Sequence, residues 1–291
     1  MSEPRILEGL GSIAEQYDAF ILDQWGVLHN GKAPYPGVVD ALRTMREGGK
    51  KICLLTNSGR RARMNRERLD EMGFPPDSYD GLITSGEAAW LGLRGRKDPR
   101  LHDLGHRAVL ITRDNDFEVV EDLGLTLTSD PAQADFVYLA GVDSPPKTLD
   151  DYAPLLASAQ ELGLPMICSN PDRIAVSADG LLIAPGTIAA HYEELGGRVY
   201  YFGKPNRPIY EACLEVLAGV DPARILCVGD SLEHDIAGAV GMGMDSCFVM
   251  QGIHADHFPE DLPADRLAVR VRELAERYET SPLYAIHRTT W

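Results

Sequence analysis

The stretch Tyr17-Asp18-Ala19-Phe20-Ile21-Leu22-Asp23, followed by Gln24-Trp25-Gly26, decides the reading of this chain. A short apolar run reads as a buried strand, and it ends on a carboxylate and then a glycine turn. The pattern recurs. Lys51 to Leu55 is apolar and ends in Thr56-Asn57; Ile225 to Val228 is apolar and ends in Gly229-Asp230; Val199 to Phe202 leads into Gly203-Lys204. Between these runs lie helical patterns. Val38, Leu42 and Met45 recur at helical spacing before Gly48-Gly49, and a polar, arginine-rich segment from Arg60 to Met72 stops at Gly73. Strands alternating with helices predict a parallel sheet covered on both faces, an α/β fold. In such sheets ligands bind beyond the C-terminal strand ends. Asp23, Thr56, Lys204 and Asp230 therefore converge on one crevice if their four strands are neighbours.

The rhythm breaks at Gly95-Arg96-Lys97-Asp98-Pro99 and a second α/β stretch follows. Its strands are expected at 108–112, 135–139 and 165–168. A helix is expected from Thr148, where Thr148-Leu149-Asp150-Asp151 reads as a capping box with Asp in place of Glu or Gln. The first rhythm resumes near residue 199. The expected domains are 1–96, an insert over 97–198, and 199–291 completing the first. A further amphipathic helix is expected over 262–278.

The chain has 291 residues, about two domains' worth. Its net charge of −16 disfavours nucleic acid and anionic membranes as partners. The run from Gly59 to Arg68 is rich in arginine, but Asp70 and Glu71 follow it and no aromatics interleave, so it reads as a solvated helix face. No apolar run approaches the ~20 residues of a membrane helix, and residues 1–10 lack a signal-type apolar segment. The five cysteines have no CxxC spacing and read as buried, reduced thiols, which implies a cytoplasmic setting.

Four segments, in order, resemble the motifs of the haloacid-dehalogenase superfamily: Asp23-Gln-Trp-Gly-Val-Leu28, Leu54-Leu-Thr-Asn57, Gly203-Lys-Pro205, and Gly229 to Ala239 with Asp230 and Asp235. The insert between the second and third motifs resembles the α/β C2-type cap of subclass IIA. Ser169-Asn-Pro-Asp172 and Pro185-Gly-Thr187 resemble its NagD-like branch. The resemblance implies a Rossmann-like core with an inserted cap, and a Mg²⁺-dependent phosphatase. In that reading Asp23 is the nucleophile, Lys204 neutralises charge and Thr56 holds the phosphoryl group. Asp23, Asp230 and the Trp25 backbone carbonyl ligate Mg²⁺, and Asp235 supports the ion indirectly. Asn57, Ser58, Asn170, Asp172 and Arg173 are the expected substrate contacts, with Arg113 a further candidate. The family likeness extends to a small phosphorylated metabolite (a sugar phosphate, a nucleotide or pyridoxal phosphate) and to a homodimer.

One position departs from the pattern. Most phosphatases of the superfamily carry a second Asp two residues after the nucleophile, as acid and base; here it is Trp25. Indole performs no acid–base chemistry near neutral pH, and such help is worth roughly 10²–10⁴-fold. Poor leaving groups should suffer most. His29 and His234 are candidate substitutes, and Trp25 either stacks on a substrate ring or shields the site from water. Two other readings stand beside the phosphatase: a non-catalytic binder of a phosphorylated ligand, and a metal-free dehalogenase-type enzyme. The pair Asp230 and Asp235 argues against the last, since a metal-free site has no use for both. His254-Ala-Asp-His257 is a weak metal motif.

Overall fold

The computed structural model describes residues 2–143, 147–177, 180–259 and 262–291. The strands, in chain order, are β1 (Arg5–Leu7), β2 (Ala19–Asp23), β3 (Lys51–Thr56), β4 (Gly81–Thr84), β5 (Arg107–Ile111), β6 (Thr126–Leu127), β7 (Phe136–Leu139), β8 (Pro165–Cys168), β9 (Ile174–Ser177), β10 (Gly180–Ile183), β11 (Arg198–Tyr201), β12 (Ile225–Gly229), β13 (Asp245–Val249) and β14 (Tyr284–Ile286). The α/β class is as expected, and β9–β10 forms an antiparallel hairpin.

The chain divides into two units. The first comprises residues 1–56, 66–83 and 204–291. Its seven-stranded sheet runs β1-β14-β13-β12-β2-β3-β4. The strands β12, β2 and β3 are buried along nearly their whole length, which accounts for their continuous apolar runs. From β2 the chain moves outward through β3 and β4, then returns on the other side through β12, β13 and β14. The switch point, where these sheets open a crevice, therefore lies between β2 and β12. Register fixes the edge: Leu22 pairs with Val228 and Asp23 with Leu55. Asp23, Thr56 and Asp230 thus reach the same end of three adjacent strands.

The second unit comprises residues 57–65 and 84–203. Its five-stranded parallel sheet runs β11-β8-β7-β5-β6. Its core gathers Val109, Val137, Leu139, Leu156, Met166, Ile188 and Tyr192. The helix Leu149–Glu161 starts with the capping box read from the sequence, the Thr148 N–H donating to Asp151 Oδ2 at 2.8 Å. The helix Ser85–Gly95 and the segment 57–65, which includes the start of the helix Ala62–Glu71, cluster with this unit.

One expectation is corrected. Lys204 follows β11, but β11 pairs with β8 in the second sheet and is no neighbour of β2, β3 or β12. Lys204 reaches the carboxylates instead from the segment that leads into the helix Arg207–Val216. Strand periodicity reports that a strand exists, not which sheet it joins. β1, β6, β9, β10, β13 and β14 were not anticipated as strands; five of these six have four residues or fewer and give little periodic signal.

Candidate active site

The site grows from the end of β2. Asp23 is 7% exposed, Asp230 3%, Asp235 4% and Lys204 4%. Lys204 Nζ donates to Asp23 Oδ1 at 2.6 Å and to Asp235 Oδ1 at 2.7 Å. Among the described residues, Asp23, Asp230 and Asp235 form the one group of three acidic, His or Cys side chains able to share an ion, with one oxygen of each lying within 4.8 Å of the others. Three buried carboxylates face a single buried ammonium.

Asp230 is held by backbone. Its Oδ2 accepts from the Ile253 N–H at 2.8 Å, in the loop after β13. A Cβ on Gly252 or on Gly26 would lie well inside contact distance of that same oxygen. Gly26 also has φ of +83°, a conformation that disfavours other residues. Two glycines therefore let the chain close around the Asp230 carboxylate. Asp235 follows on a π-helical turn, Leu232–Ile236, a rare local widening that brings its carboxylate back over the strand end. The Ser231 N–H donates to Asp235 Oδ2 at 3.0 Å, and the Ser231 side chain caps the turn by accepting from the His234 N–H.

Electrostatics follow from this packing. Burial pushes the Asp23 carboxyl up to about 7, against the lowering influence of Lys204, and Asp235 raises it further. Burial pushes Asp230 up to about 8, with Asp23 and Asp235 adding to the rise. Burial alone would lower Lys204, but its contacts with Asp23 and Asp235 raise it above the ordinary lysine value. The site is short of positive charge. All-oxygen donors, buried and in excess of cation, fit a hard divalent ion.

The loop after β2 is braced internally. Trp25 and His29 form a backbone bridge, and His29 bridges on to Pro34. The Gly31 N–H donates to His29 Nδ1 at 3.1 Å, and the His29 ring packs edge-on against Phe74 with centroids 6.2 Å apart. Burial and the nearby Arg68 lower His29 to about 4, so it is neutral at physiological pH with Nδ1 already engaged. His29 is a brace of this loop. His234 Nδ1 lies 2.9 Å from Ser231 Oγ. Trp25 itself is 49% exposed.

The expected substrate contacts Asn57, Ser58, Arg113, Asn170, Asp172 and Arg173 fall within the second unit, and Thr56 ends β3 in the first. Asn57 Nδ2 donates to Asp172 Oδ1 at 2.8 Å, and the Asn57 carbonyl accepts from Ser85 Oγ at 2.7 Å. Ser58 Oγ accepts from Asn65 Nδ2 at 3.2 Å. Asn170 Oδ1 accepts from the Asp172 N–H at 2.8 Å. The segments Ser169–Asp172 and Pro185–Thr187 meet because Gly186 lacks a Cβ, which would press into the Pro171 carbonyl. Arg173 and Arg113 are exposed. Arginines at the start of the run have acidic partners, Arg61 with Glu87 at 2.8 Å and Arg60 with Asp114 at 3.5 Å. His254 and His257 have ring centroids 6.2 Å apart, and no third ligand joins them among the described residues. All five cysteines are free and buried.

Sequence reading missed Gly252 and Ile253. Their signal was available: Asp245 to Val249 is an apolar run, and the residues after it lie at a strand end beside β12.

Comparison with known proteins gives the family. The model for haloacid dehalogenase-like hydrolases matches residues 20–126, and a related hydrolase-like model of the same group matches residues 201–275. The crystal structure of a haloacid dehalogenase-like hydrolase from Brucella suis 1330 is 30% identical, with a TM-score of 0.78, covering 98% of this chain and 100% of that one. The chain belongs to the haloacid dehalogenase-like hydrolases. Within that family it falls in the NagD-like branch, whose insert is the C2-type cap. The 5'-nucleotidase YutF of Bacillus subtilis (strain 168) is 26% identical over 84% of this chain and 92% of its own length. A glycerol phosphate phosphatase from Mycobacterium tuberculosis, solved in complex with calcium, is 25% identical, with a TM-score of 0.66, covering 83% of this chain and 68% of that one. No helix among the described residues is long and apolar enough to cross a membrane.

Proposed function

We propose that this chain is a Mg²⁺-dependent phosphatase of small organic phosphate monoesters, with Asp23 as nucleophile. The observation that carries the reading is the buried cluster of Asp23, Asp230 and Asp235 around Lys204. An Asp23 carboxylate oxygen attacks phosphorus in line. The P–O ester bond breaks, its electrons leave with the substrate oxygen, and that oxygen takes a proton from solvent. Water then attacks phosphorus, the bond to Asp23 breaks, and the carboxylate and inorganic phosphate are released. Lys204 screens the repulsion between Asp23 and the incoming anion, and Thr56 with the backbone N–H of Asn57 holds the phosphoryl oxygens.

Asp23, Asp230 and the Trp25 carbonyl would hold the cation, with Asp235 in support. When bound, it supplies charge neutralisation at the transferring group. Ser58, Asn170, Asp172 and Arg173 are assigned to substrate contact. Sugar phosphates, nucleotides and pyridoxal phosphate are the proposed substrate class by the family resemblance, and the likeness to the 5'-nucleotidase YutF supports the nucleotides. A cytoplasmic setting and a homodimer complete the proposal.

The test is hydrolysis of p-nitrophenyl phosphate with Mg²⁺ or with a chelator, for wild type and Asp23→Asn. Metal-dependent turnover that disappears in the variant supports the reading. Tight phosphate-ligand binding with no turnover by the wild type would establish a binder instead.

A further inference from the structure

The stretch Thr84-Ser85-Gly86-Glu87, where β4 passes into the helix Ser85–Gly95, lies along residues 57–62 and holds their main chain at successive points. Ser85 is fully buried. Its Oγ donates to the Asn57 carbonyl at 2.7 Å and, as a shared bond, to the Ser58 carbonyl at 2.9 Å. The Gly86 N–H donates to the same Ser58 carbonyl at 3.1 Å. Thr84 Oγ1 donates to the Arg60 carbonyl at 2.6 Å while accepting from the Glu87 N–H at 2.9 Å. The Glu87 carboxylate accepts from the Ala62 N–H at 3.1 Å and from Arg61 Nε at 2.8 Å. The fit is backbone on backbone. A Cβ on Gly86 would lie 2.1 Å from the Gly59 carbonyl oxygen, so the two segments close only with glycine there.

Asn57 is therefore held twice. Ser85 fixes its carbonyl, and its side-chain Nδ2 donates to Asp172 Oδ1 at 2.8 Å. The peptide unit is planar, so only the backbone dihedrals beside it can turn an N–H. With carbonyl and side chain both held, little rotation remains to re-aim the Asn57 N–H. A backbone donor stabilises developing charge only if it is already in place when the charge appears. The hydroxyl is also hard to replace, because its loss leaves the Asn57 carbonyl without that buried partner.

We propose that Ser85 is a positioning residue of the phosphatase, whose hydroxyl holds the turn at 56–58 so that the Asn57 N–H is aimed at the phosphoryl group. The proposal rests on the phosphatase reading of the site. Fully buried, Ser85 does not touch substrate and acts through Asn57. Its effect falls on what all substrates share, the phosphoryl group, and not on the leaving group or the cation.

The experiment compares wild type, Ser85→Ala and Ser85→Thr. Calorimetry reads the Kd of inorganic phosphate in Mg²⁺ and the Kd of Mg²⁺ alone, and kinetics read kcat on phenyl phosphate and acetyl phosphate. Ser85→Ala should weaken phosphate about 5-fold and lower kcat about 10-fold on both substrates, less than the roughly 100-fold of deleting such a donor outright, since the N–H is mis-aimed and not removed. Ser85→Thr, which keeps the hydroxyl, should restore both to within about 3-fold, and the Kd of Mg²⁺ should stay within about 2-fold throughout. Ser78→Ala is the control: it deletes a buried hydroxyl that donates to the Pro75 carbonyl at 2.6 Å, and it should change none of these constants. Should Ser85→Ala not fold, Ser85→Cys, close in shape and a weak donor, should move the same way. Unchanged phosphate binding and kcat, an equal loss of Mg²⁺ affinity, or a loss confined to one of the two substrates would overturn the proposal. A wild type that binds phosphate and hydrolyses neither substrate would overturn the phosphatase reading, and the phosphate Kd would still decide the role of Ser85.

Discussion

Lys204 Nζ lies 2.6 Å from Asp23 Oδ1, and both groups are almost fully buried. The same ammonium lies 2.7 Å from Asp235 Oδ1, while Asp230 adds a third carboxylate to the cluster. Removing one partner from a buried ion pair typically costs about 3–5 kcal/mol, because the remaining charge is stranded. Lys204→Met should therefore lose activity by at least about 100-fold and also unfold at lower temperature in chelator. Thermal unfolding and steady-state kinetics on the same preparation check this. An active, equally stable variant would show that Lys204 neutralises nothing that matters.

The raised carboxyls give the metal-free protein a defined pH dependence. Burial pushes Asp23 to about 7 and Asp230 to about 8. An acid whose folded value exceeds its unfolded one binds more protons when folded, so its contribution falls as pH rises from about 4 to about 8. A divalent cation binds the ionised forms and offsets that loss. The rise in melting temperature on adding Mg²⁺ should be larger at pH 8.5 than at pH 6, read by calorimetry against chelator controls. An increment independent of pH, or larger at pH 6, would contradict the carboxylate cage.

Gly252 and Gly26 should behave as site residues although neither carries a side chain. A Cβ on either would displace the Asp230 carboxylate. Gly252→Ala and Gly26→Ala should lower kcat/KM by about 100-fold or more and raise the Mg²⁺ concentration needed for half-maximal rate. Gly241→Ala, in the helix Ala237–Gly241, meets nothing within 4 Å and serves as control. It should be neutral or stabilise by up to about 1 kcal/mol. Comparable damage from all three would show that the Asp230 seat is not special.

Much of the site was legible because the reactive residues sit at the ends of buried strands. Asp23, Thr56 and Asp230 follow from apolar runs, and the sheet register then brings them to one edge. Lys204 was legible as a residue and misread as to route, since β11 gives the same periodic signal in either sheet. The backbone seat of Asp230 was hidden because Gly252 and the Ile253 N–H act through main chain and the absence of a side chain. The role of His29 depended on its packing against Phe74 and Gly31, which no local pattern encodes. The short edge strand β1 and its neighbour β14 became visible only through pairing across the length of the chain.

That pairing gives the segment ending at Trp291 a measurable role. The Leu10 N–H donates to the Thr290 carbonyl at 2.9 Å. The Trp291 ring meets Phe20 edge-on at 6.3 Å, and a Cβ on Gly9 would come within 2.7 Å of the Trp291 carbonyl oxygen. Trp291→Ala should destabilise the fold by about 1–3 kcal/mol in urea titration, since the ring is partly exposed. Its kcat per folded molecule should be unchanged. An unaltered midpoint would show that this packing contributes nothing.

The most direct test is to catch the phosphoryl group on the protein. Enzyme mixed with phenyl phosphate and Mg²⁺, quenched in acid and digested, should yield one phosphorylated peptide, with the group on Asp23. The label should be absent in chelator and in Asp23→Asn. Sustained hydrolysis with no label, or with a label on another residue, would contradict Asp23 as the nucleophile.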